Sequence, residues 1–532
     1  MLTITGLIFS PIIISIIIFV YNRRTVNYLA YLLQIINMVF LIDLTMKVLS
    51  KGYYSFVYGG FDKHIGIQMY GDIYSIIFLW MSLIGFSYAL IYIYDNKFND
   101  VKFIFFLLFL EGVMNGLFLA NDIFTVFILI ELSTIIAGIL IIYQKDGNSV
   151  KSGIFYLLYN TIGMTIYLLG VIFIYKNIGS LNIQYIKEMV PTNYNTEIAL
   201  GMGMIITSLS LKSALFPVYS WLPYAHSAAP SSISALLSGL VVKIGIFGFI
   251  RIISVFGESQ FMNVFLILGI ITSVIGVLFA VFQTDIKRIM AFSTISQIGL
   301  ILIAITSSTE IGFWGGVLHS MNHFFFKSLL FLSAGAIIYM SGDRSIKKIS
   351  GMKSFNPLIS IGLIFGILSI TGAPFFLGSI SKLMIKRGGY LFDIKPILYF
   401  INCGTVLSYF RILTIYKNQD LNENKLSKYK KVKSKVLAIS SLSILMILVY
   451  IIEFSYVKRV YGLDMMGINI LMEIIIDYLA YVIVAVILYN LAFKKENILS
   501  RKVDNFNFGF RESNLLLIGY MVFILGVLKV AM

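Results

Sequence analysis

Charge is scarce in this chain: only 12% of its 532 residues are Asp, Glu, Lys or Arg, while 59% are hydrophobic. That balance excludes a soluble globule. Cysteine is scarcer still, and the lone Cys403 excludes an intramolecular disulfide. No CxxC, haem-attachment or iron–sulfur ligand set can be found, so no cofactor is expected. A Walker loop is also missing, so the chain is not expected to hydrolyse ATP. What drives it must come from a gradient or from partner subunits. Met1 runs almost directly into an apolar segment, without a basic n-region or an A-x-A cleavage site, which reads as a retained helix and not as a signal peptide.

What is present in quantity is apolar length. Runs of about 18–22 residues, each able to cross a hydrocarbon core of about 30 Å, recur along the whole sequence. They begin near Leu2, Tyr28, Ile73, Phe103, Ile123, Phe155, Ile198, Ser234, Val264, Met290, Gly312, Leu358, Ile394, Val436, Ile468 and Leu515. The expected fold class is an all-α polytopic membrane protein of about 14–16 transmembrane helices, multi-pass in the plasma membrane, with the lipid bilayer as its surroundings. The net charge of +16 would suggest nucleic acid in a soluble protein. Here the basic residues gather between spans, so they read as a topology signal and no nucleic acid is expected. Arg23–Arg24, Lys287–Arg288, Arg344 to Lys353, Lys425 to Lys435 and Lys494 to Arg511 then lie inside, with the N-terminus outside and the loop holding Trp221, His226 and Pro230 in the cytoplasm.

Two spans are badly written for lipid. In LKSALFPVYSWLPYAHSAAP, Lys212 is followed by Pro217, Pro223 and Pro230, three of only eight prolines in the chain. In SITGAPFFLGSISK, Gly372, Pro374 and Gly378 interrupt an apolar helix before Lys382. Each is a broken helix with one lysine, and the two lysines are 170 residues apart (382 − 212). Paired broken helices point to the ion pathway of a transporter built from inverted repeats. We therefore expect N-terminal helices over 1–101, a first five-helix repeat over 102–256, a second over 257–417 and C-terminal helices over 418–532. Five is odd, so the second copy would be inserted upside down.

The intramembrane charges carry the chemistry. An ionised side chain at mid-bilayer costs on the order of 2.5–3.5 kcal/mol, so such groups are paired, hydrated or functional. Glu131, Lys212, Lys243, Lys327 and Lys382 all sit in or beside apolar spans. A desolvated lysine loses its proton more easily and an adjacent carboxylate restores its hold, so a pair that opens and closes can move a proton. Helix breakers free carbonyls that water or side chains must satisfy. His319, His323 and Lys327 are spaced i, i+4, i+8, on one helical face over about 12 Å, as a stepwise relay would require. Glu111 and Asp122 could supply a second carboxylate or face headgroups. Asp43 and Lys47 read as a structural i, i+4 pair, and Glu473 with Asp477 share a face without an assigned role. No cluster suits a metal, and the axis of lysine and histidine favours protons over sodium, unless Glu111, Asp122 and Glu131 come together as an oxygen-rich pocket.

The blocks KSALFPVYSWLPYAHSAAPSSISALLSGLVVKIGIFGFIR, QTDIKRIMAFSTISQIG, HSMNHFFFKSLLFLSAGAI and GAPFFLGSISK resemble, in order, the signatures of the antiporter-like membrane subunits. That family is shared by respiratory complex I (NADH-quinone oxidoreductase), group 4 membrane-bound hydrogenases and Mrp cation/proton antiporters. The resemblance spans roughly Phe103 to Tyr416. It implies about fourteen core spans with two inverted five-span repeats and a central hydrophilic axis. Glu131 corresponds to the family's carboxylate, Lys212 to its paired lysine, Lys243 and Lys327 to connecting residues, and Lys382 to the terminal residue; His226, His319 and His323 fall at relay and loop positions. GSISK lacks the aromatic that usually follows the glycine, and the C-terminus adds about two spans. The function implied is a proton-translocating, non-redox subunit of a complex I-like or hydrogenase-like assembly, with other membrane subunits and a peripheral redox module as partners. The alternatives are an Mrp-type Na+/H+ antiporter subunit or a non-translocating scaffold.

Overall fold

The computed structural model describes residues 2–22, 27–193, 195–256, 261–349, 356–417, 432–463, 467–493 and 508–530. Arg23–Arg24, Lys353 and most of the basic stretches 425–435 and 494–511 lie outside the described residues, and with them much of the topology signal. Fourteen described helices are long and apolar enough to cross a membrane. Two further spans fall short as α8 (Thr196–Lys212, 17 residues) and α15 (Pro357–Thr371, 15 residues). These two are the expected broken helices: each stops mid-span and a shorter helix follows, α9 (Trp221–Ala228) and α16 (Leu377–Lys386).

The chain divides into two compact units. Unit 1 is Met1–Phe261 together with Phe508–Met532, and unit 2 is Met262–Asn507. In unit 1, α1 (Leu2–Tyr21), α2 (Tyr28–Lys51), α3 (Ile73–Ile93) and α4 (Val101–Leu119) pack together. A small antiparallel hairpin, β1 (Tyr54–Val57) with β2 (Gln68–Gly71), joins α2 to α3 and had no signal in the hydropathy. Next come α5 (Ile123–Ile142), α6 (Gly147–Ile178) and α7 (Ile183–Asn193), then the broken α8/α9. The following span is α10 (Ser231–Leu236), a π turn over Leu237–Val241 and α11 (Lys243–Phe256). Helix α20 (Phe510–Val530), distant in sequence, packs against α8 and α6.

Unit 2 holds α12 (Phe261–Phe282, from its second residue on), α13 (Ile286–Ile305), α14 (Glu310–Ser341), the broken α15/α16, α17 (Lys395–Leu413), α18 (Lys433–Tyr461) and α19 (Ile468–Ala492). α14 is its hub, packing on α13, α15, α16 and α18. Glycine allows close approaches: at Gly315 an added Cβ would lie 2.9 Å from Met384 Cβ, and at Gly362 one would lie 2.3 Å from Ile439.

Local geometry in the two units matches residue by residue. Asp122 caps α5, accepting from Thr125 N–H, and Asp285 caps α13, accepting from Lys287 and Arg288 N–H. Side-chain caps of this kind contribute about 1 kcal/mol. Both cap residues form an isolated bridge to the far end of the next-but-one segment, Asp122 to Asn182 and Asp285 to Ser345. Ile123 N–H donates to Leu181 O and Ile183 N–H to Asn121 O; Ile286 N–H donates to Arg344 O and Ile346 N–H to Thr284 O. α6 and α14 each run 32 residues and end on a left-handed glycine, Gly179 and Gly342. Every one of these pairs is 163 residues apart (285 − 122; 342 − 179). The lysine spacing of 170 differs because the lysines stand on opposite sides of their breaks: Lys212 ends α8, whereas Lys382 lies within α16.

Candidate functional site

In unit 1 the helix break is held by its own side chains. Ser213 and Ala214 close α8 through N–H groups directed to Leu209 O and Leu211 O, with Ala214 in the left-handed region at φ 54°. The indole of Trp221 donates to the same Leu211 O at 2.8 Å, a second donor that ties the following helix back onto the break. Lys212, at the end of α8, is 1% exposed. Its Nζ donates to Thr134 Oγ1 on α5 at 2.6 Å and to Tyr156 OH on α6 at 3.3 Å, and lies 5.5 Å from the Tyr156 ring centroid.

Glu131 is not the partner in contact. It accepts from Thr161 Oγ1 at 2.8 Å, on a partly exposed face of α5 and α6, and its other carboxylate oxygen has no partner. Thr134 lies three residues on from Glu131, so carboxylate and ammonium are about one helical turn apart along α5. Neutral hydroxyls hold the amine instead. A hydroxyl accepts from an ammonium and donates to a neutral amine, so these partners suit both states.

Lys243 follows the π turn and donates to Ser238 O at 2.9 Å; such turns reroute backbone carbonyls out of the regular ladder. His226 is buried in α9, and its carbonyl accepts from Ser234 Oγ. The three carboxylates of the possible oxygen-rich pocket are engaged separately. Glu111 is fully buried and takes Gln34 Nε2 at 2.8 Å and Asn37 Nδ2 at 2.9 Å, both from α2, so it does not face headgroups. Asp122 is the α5 cap. Among the described residues no group of three His, Cys, Asp or Glu could hold a metal ion.

In unit 2, Lys327 is as buried as Lys212 and held in the same manner. It donates to Met290 O at 2.8 Å, to Ser293 Oγ and to Tyr409 OH at 3.1 Å; the two hydroxyls bond each other at 2.8 Å. His319 lies between Gln297 Oε1 at Nε2 (3.0 Å) and Ser381 Oγ at Nδ1 (2.9 Å). His323, one turn on, packs edge-on against Phe326. At 163 residues' remove, Gln297 and His319 stand where Thr134 and Tyr156 stand in unit 1.

The second break leaves Ile370 O bare, and Lys382 Nζ takes it at 2.8 Å. Lys382 is partly exposed to an open cleft also lined by Lys386, Tyr399, Asn402 and Asp477. There Lys386 pairs with Glu473 (2.9 Å) and Asp477 (2.5 Å), Arg387 pairs with Glu473 (2.9 Å), and Tyr399 OH donates to Asp477. Glu473 and Asp477, without a role in the sequence, thus tie α19 to the end of α16. Sequence reasoning missed Glu453 on α18 altogether. It is 3% exposed and accepts from Asn322 Nδ2 at 3.0 Å. Its signal in the sequence is a single glutamate inside the apolar run YIIEFSYV.

A family model described as NADH:quinone oxidoreductase/Mrp antiporter, TM matches residues 120–408. Among curated proteins, the chain is similar to the "Putative antiporter subunit mnhD2" of Staphylococcus epidermidis, 27% identical over 436 residues that cover 76% of this chain and 86% of that one. It is 28% identical over 340 residues to the protein of the same name from Staphylococcus aureus, covering 62% of this chain and 68% of that one. Among solved structures it resembles a chain of the membrane-bound sulfane sulfur reductase, an archaeal respiratory membrane complex (TM-score 0.77, 24% identity, 91% of this chain and 100% of that one). The match to a chain of the Mrp complex from Dietzia sp. DQ12-45-1b has the same TM-score, at 19% identity over 95% of this chain and 100% of that one.

Proposed function

Because the chain belongs to the NADH:quinone oxidoreductase/Mrp antiporter transmembrane family, we propose that it is a proton-translocating subunit of a multisubunit, Mrp-type cation/proton antiporter complex. This puts the Mrp reading ahead of the complex I-like and hydrogenase-like ones. The relatives named as antiporter subunits, matched over most of both chains, favour that order. The observation that carries the reading is Lys212: a buried amine at a helix break, held by hydroxyls that tolerate both of its states, one turn from a carboxylate. Swinging Lys212 from Thr134 toward Glu131 would close the pair. A proton would be held when it closes and released toward Lys243 when it opens.

The segments 102–256 and 257–417 would be two copies of a five-span repeat, and the elements matched at an offset of 163 support this. Inverted insertion follows if each copy crosses the bilayer five times. The second copy would continue the path through His319, His323 and Lys327 to Lys382, with His226 at the loop of the first break. Partner subunits are favoured by Glu131 itself: a carboxylate in mid-span on a partly exposed face needs covering.

The test is transport by the reconstituted complex. Lys212→Ala and Glu131→Ala are expected to abolish proton movement while assembly persists. Wild-type transport in both sinks the reading, and loss of assembly with Lys212→Met would favour a scaffold.

A further inference from the structure

We propose that Glu453 is the proton-accepting carboxylate of unit 2, held beside the second broken helix by Asn322. The inference rests on the reading of the chain as proton-translocating and extends it to a residue outside both proposed repeats.

Unit 1 has Glu131 on α5. The matching place in unit 2, 163 residues on, is Thr294, and α13 carries no carboxylate anywhere along its length. Among the described residues of unit 2, Glu453 is the one acidic side chain that is buried. It enters from α18 and faces α16 and α14. Asn322 Nδ2 lies 3.0 Å from Glu453 Oε2, 3.4 Å from Ser381 Oγ and 3.1 Å from Leu377 O, so a single amide gathers the carboxylate, the hydroxyl and a carbonyl at the start of α16. Ser381 in turn contacts His319 Nδ1 at 2.9 Å and immediately precedes Lys382.

Two features argue against a mere helix lock. A buried carboxylate that fastens helices uses both oxygens, as Glu111 does with Gln34 and Asn37. Glu453 Oε1 has no partner, and neither does Asn322 Oδ1. Among the described residues, Lys386 and Arg387 at the end of α16 pair with Glu473 and Asp477 of α19 and not with Glu453. An ionised group buried so among apolar helices is costly, and taking up a proton removes the cost.

The step balances as follows. A proton bonds to a Glu453 carboxylate oxygen and neutralises it. On release that O–H bond breaks, the proton goes to Ser381 Oγ, and the Ser381 hydroxyl gives its own proton to His319 Nδ1. Serine ends unchanged, glutamate ionised and histidine protonated. Asn322 donates throughout and is a positioning residue.

The full complex, reconstituted in phospholipid vesicles, is assayed for proton uptake with a pH-sensitive dye, comparing Glu453→Gln, Glu453→Asp and Lys212→Ala. The inference expects Glu453→Gln to assemble and fall to the level of empty vesicles, with Glu453→Asp recovering much of the uptake. Full uptake in Glu453→Gln while Lys212→Ala is inactive overturns the Glu453 assignment alone. Full uptake in both overturns the proton-translocating reading as well. Should Glu453→Gln fail to assemble, infrared difference spectra of the wild-type complex across a pH step decide: a carboxylic C=O band that shifts in Glu453→Asp supports the assignment, and its absence overturns it.

Discussion

Gly378, in the first turn of α16, offers a direct probe of how closely the second break is built. A Cβ placed there would lie 2.0 Å from Ser369 O and 3.2 Å from that carbonyl carbon, both backbone atoms of the last turn of α15. An ordinary carbon–oxygen contact is about 3.3–3.6 Å, so Gly378→Ala must part the two half-helices by roughly 1.3–1.6 Å. Overpacking of this kind costs about 1–3 kcal/mol. The functional effect should exceed the loss of stability, because Lys382 reaches across the same gap to Ile370 O at 2.8 Å. Opened by that amount, the contact lengthens to about 4 Å and is no longer a hydrogen bond. Gly526→Ala, where an added methyl meets nothing of this chain within 4 Å, is the control. It should be neutral or stabilise α20 by up to about 1 kcal/mol. Thermal melting in detergent and proton uptake in vesicles are read side by side. The reasoning is refuted if the two alanine variants behave alike in both assays.

Other outcomes follow from the same geometry. Thr134→Val with Tyr156→Phe removes both hydroxyls from Lys212; at about 1.5–3 kcal/mol for each bond to a charged group, uptake should be lost and melting lowered, whereas either single change should cost less. Asp122→Ala and Asp285→Ala each remove a helix cap and should destabilise by about 1 kcal/mol in thermal melting. Gly179→Ala and Gly342→Ala, at φ 77° and 78°, should each cost about 1–2 kcal/mol, read in the same way. Glu111→Gln turns an amide N–H toward the donors Gln34 and Asn37. It should destabilise by about 1–3 kcal/mol while leaving the sodium response of proton uptake unchanged, and the same response is expected of Asp122→Asn.

The spans were legible because hydrocarbon thickness fixes their length, and the two breaks because proline, glycine and lysine have no other reason to share an apolar run. Lys212, Lys327 and Lys382 could be picked out by charge, but their partners could not. Thr134, Tyr156, Ser293 and Tyr409 are ordinary residues in a sequence with 33 tyrosines; only packing distinguishes these from the rest. A carboxylate–lysine contact between Glu131 and Lys212 was the natural reading, yet the amine reaches Thr134, one turn along the same helix. Glu453 escaped for a different reason, since a glutamate near the basic end of a late span looks like an interfacial residue until α18 is seen to bury it against Asn322. The hairpin β1/β2 is too short to carry a hydrophobic period.

Helix α20, though late in the chain, is also a wall of unit 1. α20 lies on α8 and α6, where Tyr520 OH bonds Ser210 Oγ at 2.9 Å, Tyr159 OH bonds Ser513 O at 3.1 Å, and Leu525 and Leu528 fill the space beside Gly203. During synthesis the ribosome delivers residues 1–261 long before residue 510. The nascent first half must therefore wait in the bilayer with that flank of α8, including the stretch leading to Lys212, open to lipid or to the insertion machinery. Its completion depends on a helix threaded in after some 250 further residues have been inserted. A chain cut short before residue 510 would thus be faulty in residues 1–261, far from the cut.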